Sequence, residues 1–379
     1  MKRVLEPAPV GSVPADPDFS GTIIRWQRQH GRQHLPWQQT RDAYRIWLSE
    51  IMLQQTQVAT VIPYYQRFLA SFPDVVALAD APVDEVMAHW SGLGYYTRAR
   101  NLHRCAQRVR DEYDGVFPSD PALLADLPGI GRSTAAAIAA FSQGVRAAIL
   151  DGNVKRVFCR VFGIEGFPGT RAVELDLWQR AESLLPVKGM EAYTQGLMDL
   201  GATVCTRSKP ACERCPLQAR CVAFATGRTE ILPTRKPSKA VPEKHTHMLV
   251  ILHEGRVLLE QRPGTGIWGG LLSLPELNRL LPDEITESVD IGLALNRAVA
   301  PFGEIAQADK LQDFSHAFTH YKLHISPYLL ALKRPAKKQV PAPYCWLAVG
   351  QLEQAALPAP VKKLLTRLLL SNDLLTMAG

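Results

Sequence analysis

The chain of 379 residues is longer than one hydrophobic core usually supports, so two domains are expected. Apolar residues make up 46% and charged residues 21%, as in an ordinary soluble protein, and no stretch approaches the roughly 18 apolar residues of a membrane span. The formal charge of +7 favours an anionic partner, with nucleic acid first among the candidates.

Residues 1–21 contain prolines where a secretion signal needs an unbroken apolar run, which predicts a disordered lead-in. Cysteines at positions 105, 159 and 345, together with a cluster of four more, fit a reducing compartment. We therefore expect a cytoplasmic protein, associated with the nucleoid if its partner is DNA.

Residues 22–231 predict an all-helical domain, because periodic apolar runs alternate with proline and glycine. These runs cover 42–71, 82–90, 98–112, 132–143 and 171–185. Residues 232–244 hold three prolines and several basic residues, which is typical of an exposed linker. Residues 245–370 follow as a second, smaller domain.

The stretch 47–57 places Glu50, Gln54 and Gln57 at i, i+4 and i+7, which predicts one polar face of a helix. A solvated face is the ordinary interpretation of this spacing. Glutamines do not charge-pair with glutamate, however, and flanking apolar side chains such as Trp47 raise the pKa of a carboxyl group by burial. Glu50 is therefore a candidate proton donor near neutral pH.

A short turn, 127–131, joins two helical stretches and places glycines on both sides of an apolar residue. Gly129 and Gly131 allow backbone N–H groups at the start of the next helix to point outward and bind phosphate. An ordinary turn between helices has the same length, so the residues alone leave both interpretations open.

Four cysteines, Cys205, Cys212, Cys215 and Cys221, follow the helical region with the spacing C-x6-C-x2-C-x5-C. Cysteines this close together in a cysteine-poor chain favour a metal centre over disulfides. A zinc ribbon has two C-x2-C knuckles and this segment has one, while neither ferredoxin spacing fits. An iron-sulfur cluster is favoured, with a zinc knuckle as the alternative.

The second domain opens with two apolar-rich runs joined by Glu254 and Gly255, which predict a β-hairpin. Further strand signals follow at about 318–332 and 344–349, and VKKLLTRLLL predicts a closing amphipathic helix. This domain is therefore expected to be α+β.

Five segments carry a resemblance to one family: WLSEIMLQQTQVATVIPYY, GLGYYTRARNLH, LPGIGRSTA, ILDGNVKRV and MDLGATVCTRSKPACERCPL. Together they resemble adenine DNA glycosylases of the MutY type, from about residue 22 onward. The resemblance implies a helix-hairpin-helix glycosylase domain, a 4Fe-4S cluster on the four cysteines, and a C-terminal MutT-like (Nudix) domain. It also implies base excision repair of duplex DNA in which undamaged adenine is paired with 8-oxoguanine or guanine.

By this resemblance, Glu50 is the general acid that protonates the adenine and helps to activate water. Asp151 stabilises the oxocarbenium-like sugar and Asn153 assists, although an aspartate before a helix also serves as an ordinary cap. Flipping a base out of the stack leaves a gap that the enzyme must fill. Gln55 and Tyr95 take that role by resemblance, and a core position is the alternative for Tyr95.

Two further groups are candidates for contact with the substrate. Trp37, in the sequence LPW, is a candidate for the base pocket. A metal centre that holds both ends of the loop between Cys205 and Cys212 presents Arg207 and Lys209 to phosphates.

Members of the superfamily that also cut the strand resemble LPGxGRKTA, and their lysine amine forms a Schiff base with the sugar. Ser133 stands at that position, and a hydroxyl cannot form an imine. Hydrolysis without efficient strand cutting is therefore implied. Some relatives resemble PYT here, so Ser133 is also a candidate for contact with the sugar or the intermediate. A bifunctional glycosylase and a non-catalytic iron-sulfur DNA-binding protein remain the alternatives.

Working MutT-like hydrolases need the motif G-x5-E-x7-R-E-U-x-E-E, where U is apolar, because glutamates on one helix bind the metal ions. Gly270 and Glu276 match its opening. Glu284 and Ile285 replace the required Arg and Glu, and Pro282 interrupts the helix. The second domain is expected to bind without hydrolysing.

The family reads 8-oxoguanine with a loop that resembles Phe-Ser-His. Residues 314–316 match it by letter, but the YKLHISP that follows aligns with the family only if Phe318, Thr319 and His320 form the loop. We predict that these three read the base, because threonine keeps a hydroxyl that can hydrogen-bond its edge.

Overall fold

The structure is a computed structural model that describes residues 17–236, 241–282, 290–318, 320–336 and 339–369. Its contacts divide the chain into two compact units. The first contains the described residues before Ala81 and those from Arg104 to the linker, and the second contains Ala81–His103 and the described residues after the linker. The domain boundaries drawn from the sequence stay a prediction. None of the helices in these ranges is long and apolar enough to cross a membrane.

Twelve labelled helices precede the linker in the described ranges: α1 (Pro17–His30), α2 (Ala43–Leu53), α3 (Val58–Ser71), α4 (Val75–Asp80), α5 (Val83–Trp90), α6 (Thr97–Tyr113), α7 (Pro121–Asp126), α8 (Arg132–Gln143), α9 (Gly152–Val161), α10 (Arg171–Ser183), α11 (Met190–Asp199) and α12 (Val222–Ala225). A π-helical turn, Leu200–Val204, extends α11, and short 3-10 turns cover Cys212–Arg214 and Gln218–Arg220. Because α1 begins at Pro17, residues 17–21 of the predicted lead-in are helical; residues 1–16 lie outside the described ranges.

Helix packing in the first unit brings distant parts of the chain together. Helix α2 packs against α8, and α9 packs against the π-helical turn. Alanines dominate α8, which favours a helix and allows close approach, and Gly144 ends it in the left-handed conformation with φ 69°. The helices therefore carry residues from around positions 50, 133, 151 and 200 towards one region.

The expected polar face of Glu50, Gln54 and Gln57 is wrong. Helix α2 ends at Leu53, Gln54 is its C-cap and Gln57 precedes α3, so the run predicted at 42–71 is two helices. The break occurs because Gln55 adopts a left-handed backbone with φ 57°, which no helix accommodates.

The second unit is built on a mixed sheet. Its described strands are β1 (Glu243–His253), β2 (Arg256–Gln261), β3 (Leu272–Ser273), β4 (Gly303–Lys310), β5 (Phe314–Ala317), β6 (Lys322–Pro335) and β7 (Tyr344–Ala348). They lie in the order β3-β2-β1-β6-β4, with β5 beside β6 and β7 beside β2. Strands β1 and β6 run parallel, and the other pairs run antiparallel.

In the described part of the chain after the linker there are three α-helices: α13 (Leu277–Leu280), α14 (Ile291–Val299) and α15 (Ala359–Leu369). The predicted hairpin is confirmed, since Leu252 pairs with Val257 and both Glu254 and Gly255 have positive φ. The predicted closing amphipathic helix corresponds to α15.

Candidate active site and iron-sulfur site

Helix α2 places Glu50 against a cavity of about 850 Å³ in the first unit. Trp37, Ser49 and Gln195 also line it, so the predicted base-pocket tryptophan shares a cavity with the predicted acid. Burial raises the pKa of Glu50 to about 8, and the negative charge of Asp151 adds to the effect. A carboxyl group with that pKa keeps its proton at neutral pH.

Asp151 has two roles in the structure. It is the N-cap of α9, where its Oδ1 accepts a hydrogen bond from the backbone N–H of Val154 (2.8 Å), so the ordinary capping role is real. Its Oδ2 accepts a second hydrogen bond from Asn153 Nδ2 (3.1 Å). Burial raises the pKa of Asp151, and these hydrogen bonds act in the opposite direction. The carboxylate is thus held in a fixed orientation close enough to Glu50 to shift its pKa.

Ser133 positions the segment before Asp151. Its Oγ accepts a hydrogen bond from the backbone N–H of Leu150 (2.9 Å) and so joins the first turn of α8 to the residue that precedes Asp151. This contact explains a structural need for a hydroxyl at the position.

Arg156 connects Asn153 to the cysteine loop. Its guanidinium donates to Asn153 Oδ1 (2.8 Å), to the Gly201 carbonyl (2.7 Å) and to the Cys205 carbonyl (2.7 Å). A chain of hydrogen bonds therefore runs from Asp151 through Asn153 and Arg156 to the backbone of Cys205.

The predicted hairpin lies between α7 and α8. Gly129 has φ 80°, which favours glycine, and Gly131 is the N-cap of α8 without a side-chain hydrogen bond to the helix. A Cβ at Gly131 would meet nothing within 4 Å, so its side of the helix start is open. The first N–H groups of α8 are thus placed as an anion site requires.

Gln55 and Tyr95, predicted to fill the gap in the DNA, both have left-handed backbones, with φ 57° and 51°. Such strain in residues other than glycine is found preferentially at functional sites. Tyr95 is also 49% exposed, so the alternative of a core aromatic is wrong for this residue.

The four cysteines line one small cavity together with Arg160. Burial raises the pKa of the Cys215 thiol to about 11, whereas the Arg160 guanidinium opposes the effect of burial at Cys212 and Cys221. The loop after Cys205 exposes the side chains of Arg207 and Lys209, and Lys209 has φ 52°.

These residues fit an iron-sulfur cluster. Arg160 is 2% exposed, and its guanidinium approaches Cys205 Sγ at 3.3 Å. A buried cation beside four thiols suits a site that carries negative charge when the thiols are ionised. The described residues include no group of three His, Cys, Asp or Glu arranged around a single ion. A cluster spreads its ligands over several irons, so the fit rests on the shared cavity.

In the second unit, Phe318 lies half-buried at the end of the β5–β6 hairpin. Its ring contacts Trp268 (5.6 Å between centroids), His316 (4.7 Å) and Tyr321 (4.8 Å). His320 is exposed, and Thr319 lies outside the described residues. The alternative tripeptide 314–316 belongs to strand β5. The assignment of the reading loop stays a prediction.

Glu276 of the partial hydrolase motif makes contacts within the protein. Glu276 forms an ion pair with Arg262 and accepts a hydrogen bond from Thr246 Oγ1 (2.8 Å). Glu284 and Ile285 lie outside the described residues. The carboxylate at the start of the motif is therefore engaged within the protein.

Sequence reasoning missed three residues that contact the candidate sites: Arg156, Arg160 and Asp199. Arg156 and Arg160 stand four residues apart in KRVFCR, and this spacing, which places both on one helix face, is the signal that could have pointed to them. Asp199 is fully buried at the end of α11, where it accepts hydrogen bonds from Arg32 Nε (2.7 Å) and Gln195 Nε2 (2.8 Å) of the cavity wall. No local pattern pairs Asp199 with Arg32, which lies 167 residues away in the chain.

Comparison with known proteins assigns these regions to families. Residues 48–183 match the HhH-GPD superfamily of base excision DNA repair proteins, 205–221 match the iron-sulfur binding domain of endonuclease III, and 247–367 match the NUDIX domain. These matches confirm the predicted fold class and the predicted iron-sulfur cofactor.

Individual relatives are similar in sequence to this chain over more than half of its length. A protein of Buchnera aphidicola named adenine DNA glycosylase is 36% identical over 92% of this chain and 96% of its own. The mouse protein of that name is 34% identical over 91% of this chain and 76% of its own. The solved structure of a thermostable thymine-DNA glycosylase is 31% identical, with a TM-score of 0.51 over 55% of this chain and 96% of that chain.

Proposed function

This chain belongs to the adenine DNA glycosylase family, and we propose that it removes adenine paired with 8-oxoguanine or guanine by hydrolysis, without cutting the strand. The observation that carries the proposal is the pair of carboxyl groups in the first unit. Glu50 has its pKa raised to about 8 beside Asp151, which is oriented by two hydrogen bonds.

The two carboxyl groups supply complementary chemistry. Protonated Glu50 donates its proton to the flipped adenine and makes it a better leaving group. The sugar then develops positive charge, which the fixed Asp151 carboxylate stabilises while Asn153 keeps it in place. After the base departs, Glu50 accepts a proton from the attacking water. Trp37 forms one wall of the cavity that receives the base.

The groups proposed to hold DNA mostly contact its phosphates, so they do not depend on the base sequence. Gly129 and Gly131 open the N-terminus of α8 to a phosphate, and Arg207 and Lys209 offer charge at a second point. Gln55 and Tyr95 enter the duplex where the adenine leaves it. Cys205, Cys212, Cys215 and Cys221 would hold the iron-sulfur cluster, which would fix the loop that carries the two basic residues.

Ser133 supports hydrolysis without strand cutting. Its Oγ is engaged with the Leu150 N–H, and a hydroxyl cannot form the imine that a strand-cutting mechanism needs. Phe318, Thr319 and His320 of the second unit read the base opposite adenine. This unit binds that base and does not hydrolyse nucleotides. We propose that the protein acts as a monomer in the cytoplasm, on the nucleoid.

A base-release assay tests this proposal. Duplexes that carry adenine opposite 8-oxoguanine, guanine, cytosine or thymine are incubated with the purified protein, and strand cleavage is measured before and after alkali. We expect release opposite 8-oxoguanine and guanine, with breaks appearing only after alkali. Ser133→Lys introduces the amine that strand-cutting members of the superfamily carry at this position, and we expect it to gain a borohydride-trapped adduct that the wild-type protein lacks.

Three results would count against parts of the proposal. Prompt breaks before alkali in the wild-type protein would indicate a bifunctional glycosylase. Unchanged base release in both Glu50→Gln and Asp151→Asn, with folding intact, would leave a non-catalytic iron-sulfur DNA-binding protein. Hydrolysis of nucleoside triphosphates with magnesium would make the second unit a working hydrolase.

A further inference from the structure

Arg160 is a buried cation whose contacts the glycosylase reaction does not use. It lies on α9 and is 2% exposed, and its guanidinium directs its described hydrogen bonds to the cysteine loop and the start of the linker. Nε donates to the Leu232 carbonyl (2.8 Å), and Nη1 donates to Cys205 Sγ (3.3 Å) and to the Thr206 carbonyl (2.7 Å). The fourth contact reaches the Arg207 carbonyl at 3.3 Å.

These acceptors leave the charge of Arg160 without an ionised partner. Three of them are neutral carbonyl groups, and within the ranges that the structure describes no carboxylate forms an ion pair with this guanidinium. A buried charge is strongly unfavourable unless an opposite charge lies close to it. The remaining contact is a sulfur of Cys205, so the missing negative charge belongs on the side of the thiols.

The cysteine site supplies that charge when it is loaded. Iron-sulfur clusters are held by thiolates, so four ionised cysteines bring four negative charges, which the iron and sulfide core offsets only in part. Arg160 lines the same cavity as all four cysteines. Arg156 is also close, but its donors go to carbonyl and amide oxygens rather than to sulfur.

We infer that Arg160 is the buried counter-charge of the iron-sulfur site, which retains the cluster and raises its reduction potential. A hydrogen bond to a ligating sulfur and a nearby positive charge both stabilise the more negative, reduced form of a cluster. The same guanidinium holds the backbone of Thr206 and Arg207, so it also fixes the loop whose side chains are offered to DNA. This role is separate from the choice of the opposite base.

The test compares Arg160→Gln with Arg214→Gln. Glutamine keeps a hydrogen-bond donor and removes the charge. Arg214 lies between two of the cysteines in sequence but is exposed, so its substitution makes the same change of charge in a screened position. Iron and sulfide per protein, the rate of cluster loss to a chelator, and the one-electron reduction potential are measured on each DNA-free protein.

We expect Arg160→Gln to lose its cluster several-fold faster than the wild-type protein. The equilibrium constant for one-electron reduction of its cluster should fall at least tenfold, which corresponds to a reduction potential lower by about 59 mV. In this measurement an electrode supplies the electron that reduces the cluster, and no covalent bond is broken. Arg214→Gln should match the wild-type protein in all three measurements.

Arg160→Lys separates charge from shape. A counter-charge predicts that lysine retains the cluster better than glutamine does, including the case in which Arg160→Gln cannot be recovered in loaded form. Where both variants load, lysine should also keep the potential nearer to wild type. Equal loss of the cluster in Arg160→Lys and Arg160→Gln would overturn the inference in favour of a purely structural brace. An unchanged potential in loaded Arg160→Gln would overturn it as well.

Discussion

At the scale of single residues, two carboxyl groups share one region and differ in what surrounds them. Burial raises the pKa of both. Asp151 also accepts hydrogen bonds from Val154 and Asn153, which favour its ionised form, whereas the charge of Asp151 further disfavours ionisation of Glu50. These surroundings favour the proton on Glu50 and the charge on Asp151, which supports the proposed division of roles into acid and anion.

The protonation of Glu50 predicts the pH dependence of base release. We expect the single-turnover rate to fall as the pH rises through about 8, because Glu50 then loses the proton that it donates. A rate profile from about pH 6 to pH 10 with saturating enzyme checks this. A rate that stays constant to the alkaline end of the profile would show that Glu50 does not act as the acid.

The variant Glu50→Gln is the control for the role of this carboxyl group. We expect it to lose activity and, at alkaline pH, to gain stability. The folded-state pKa of about 8 lies above the ordinary value of 4.5, so the stability due to neutral Glu50 is complete below about pH 4.5 and is lost as the pH rises through about 8. Glutamine cannot ionise. We expect this variant to lose base release and to unfold at a higher temperature than the wild-type protein above about pH 8.

At the scale of elements, the site depends on how closely α9 approaches the π-helical turn 200–204. A Cβ added to Gly201 would lie 2.5 Å from the Cβ and 3.0 Å from the Cα of Asn153. Only glycine allows this approach, and the approach places the Gly201 carbonyl where Arg156 can bind it. The turn therefore supports the hydrogen bonds that orient Asp151.

We expect Gly201→Ala to destabilise the protein by about 1–3 kcal/mol, because the backbone of α9 must move away. The same shift should lower the single-turnover rate, since Asn153 and Arg156 move with α9. Gly152→Ala is the control for stability, because a Cβ there meets nothing within 4 Å and its backbone is helical. Thermal unfolding and base release are measured for both variants. Equal stability of Gly201→Ala and Gly152→Ala would contradict the expected clash with Asn153.

Elements also show where the sequence was sufficient and where it was not. Local patterns predicted the Glu254–Gly255 hairpin, because two adjacent turn residues determine it. They missed the break at Gln55, because a left-handed glutamine is held by its surroundings and has no glycine to signal it. The motifs identified Glu50 and Asp151 one hundred residues apart. They do not reveal the partners of Arg160, because most of these partners are carbonyl groups and every residue has one.

At the scale of the whole molecule, the proposed function places the chemistry in the first unit and the recognition of the opposite base in the second. The carboxyl groups and the cysteines lie in the first unit, and Phe318 lies in the second among the rings of Trp268, His316 and Tyr321. Trp268 is buried and has φ 55°, so the turn that carries it is held against its backbone preference. This aromatic cluster supports the end of the β5–β6 hairpin.

If the two units have these separate roles, a substitution in the second unit should change the preference for the opposite base more than the rate of base release. We expect Phe318→Ala to reduce the ratio of base-release rates opposite 8-oxoguanine and opposite guanine several-fold, because the hairpin end loses three ring contacts, each worth roughly 0.5–1.5 kcal/mol. The rate opposite guanine should change little, since Glu50 and Asp151 are untouched. Phe314→Ala is the matched control, a half-buried phenylalanine of the same hairpin from the tripeptide that was not chosen. Loss of selectivity in Phe314→Ala alone would move the reading loop to residues 314–316.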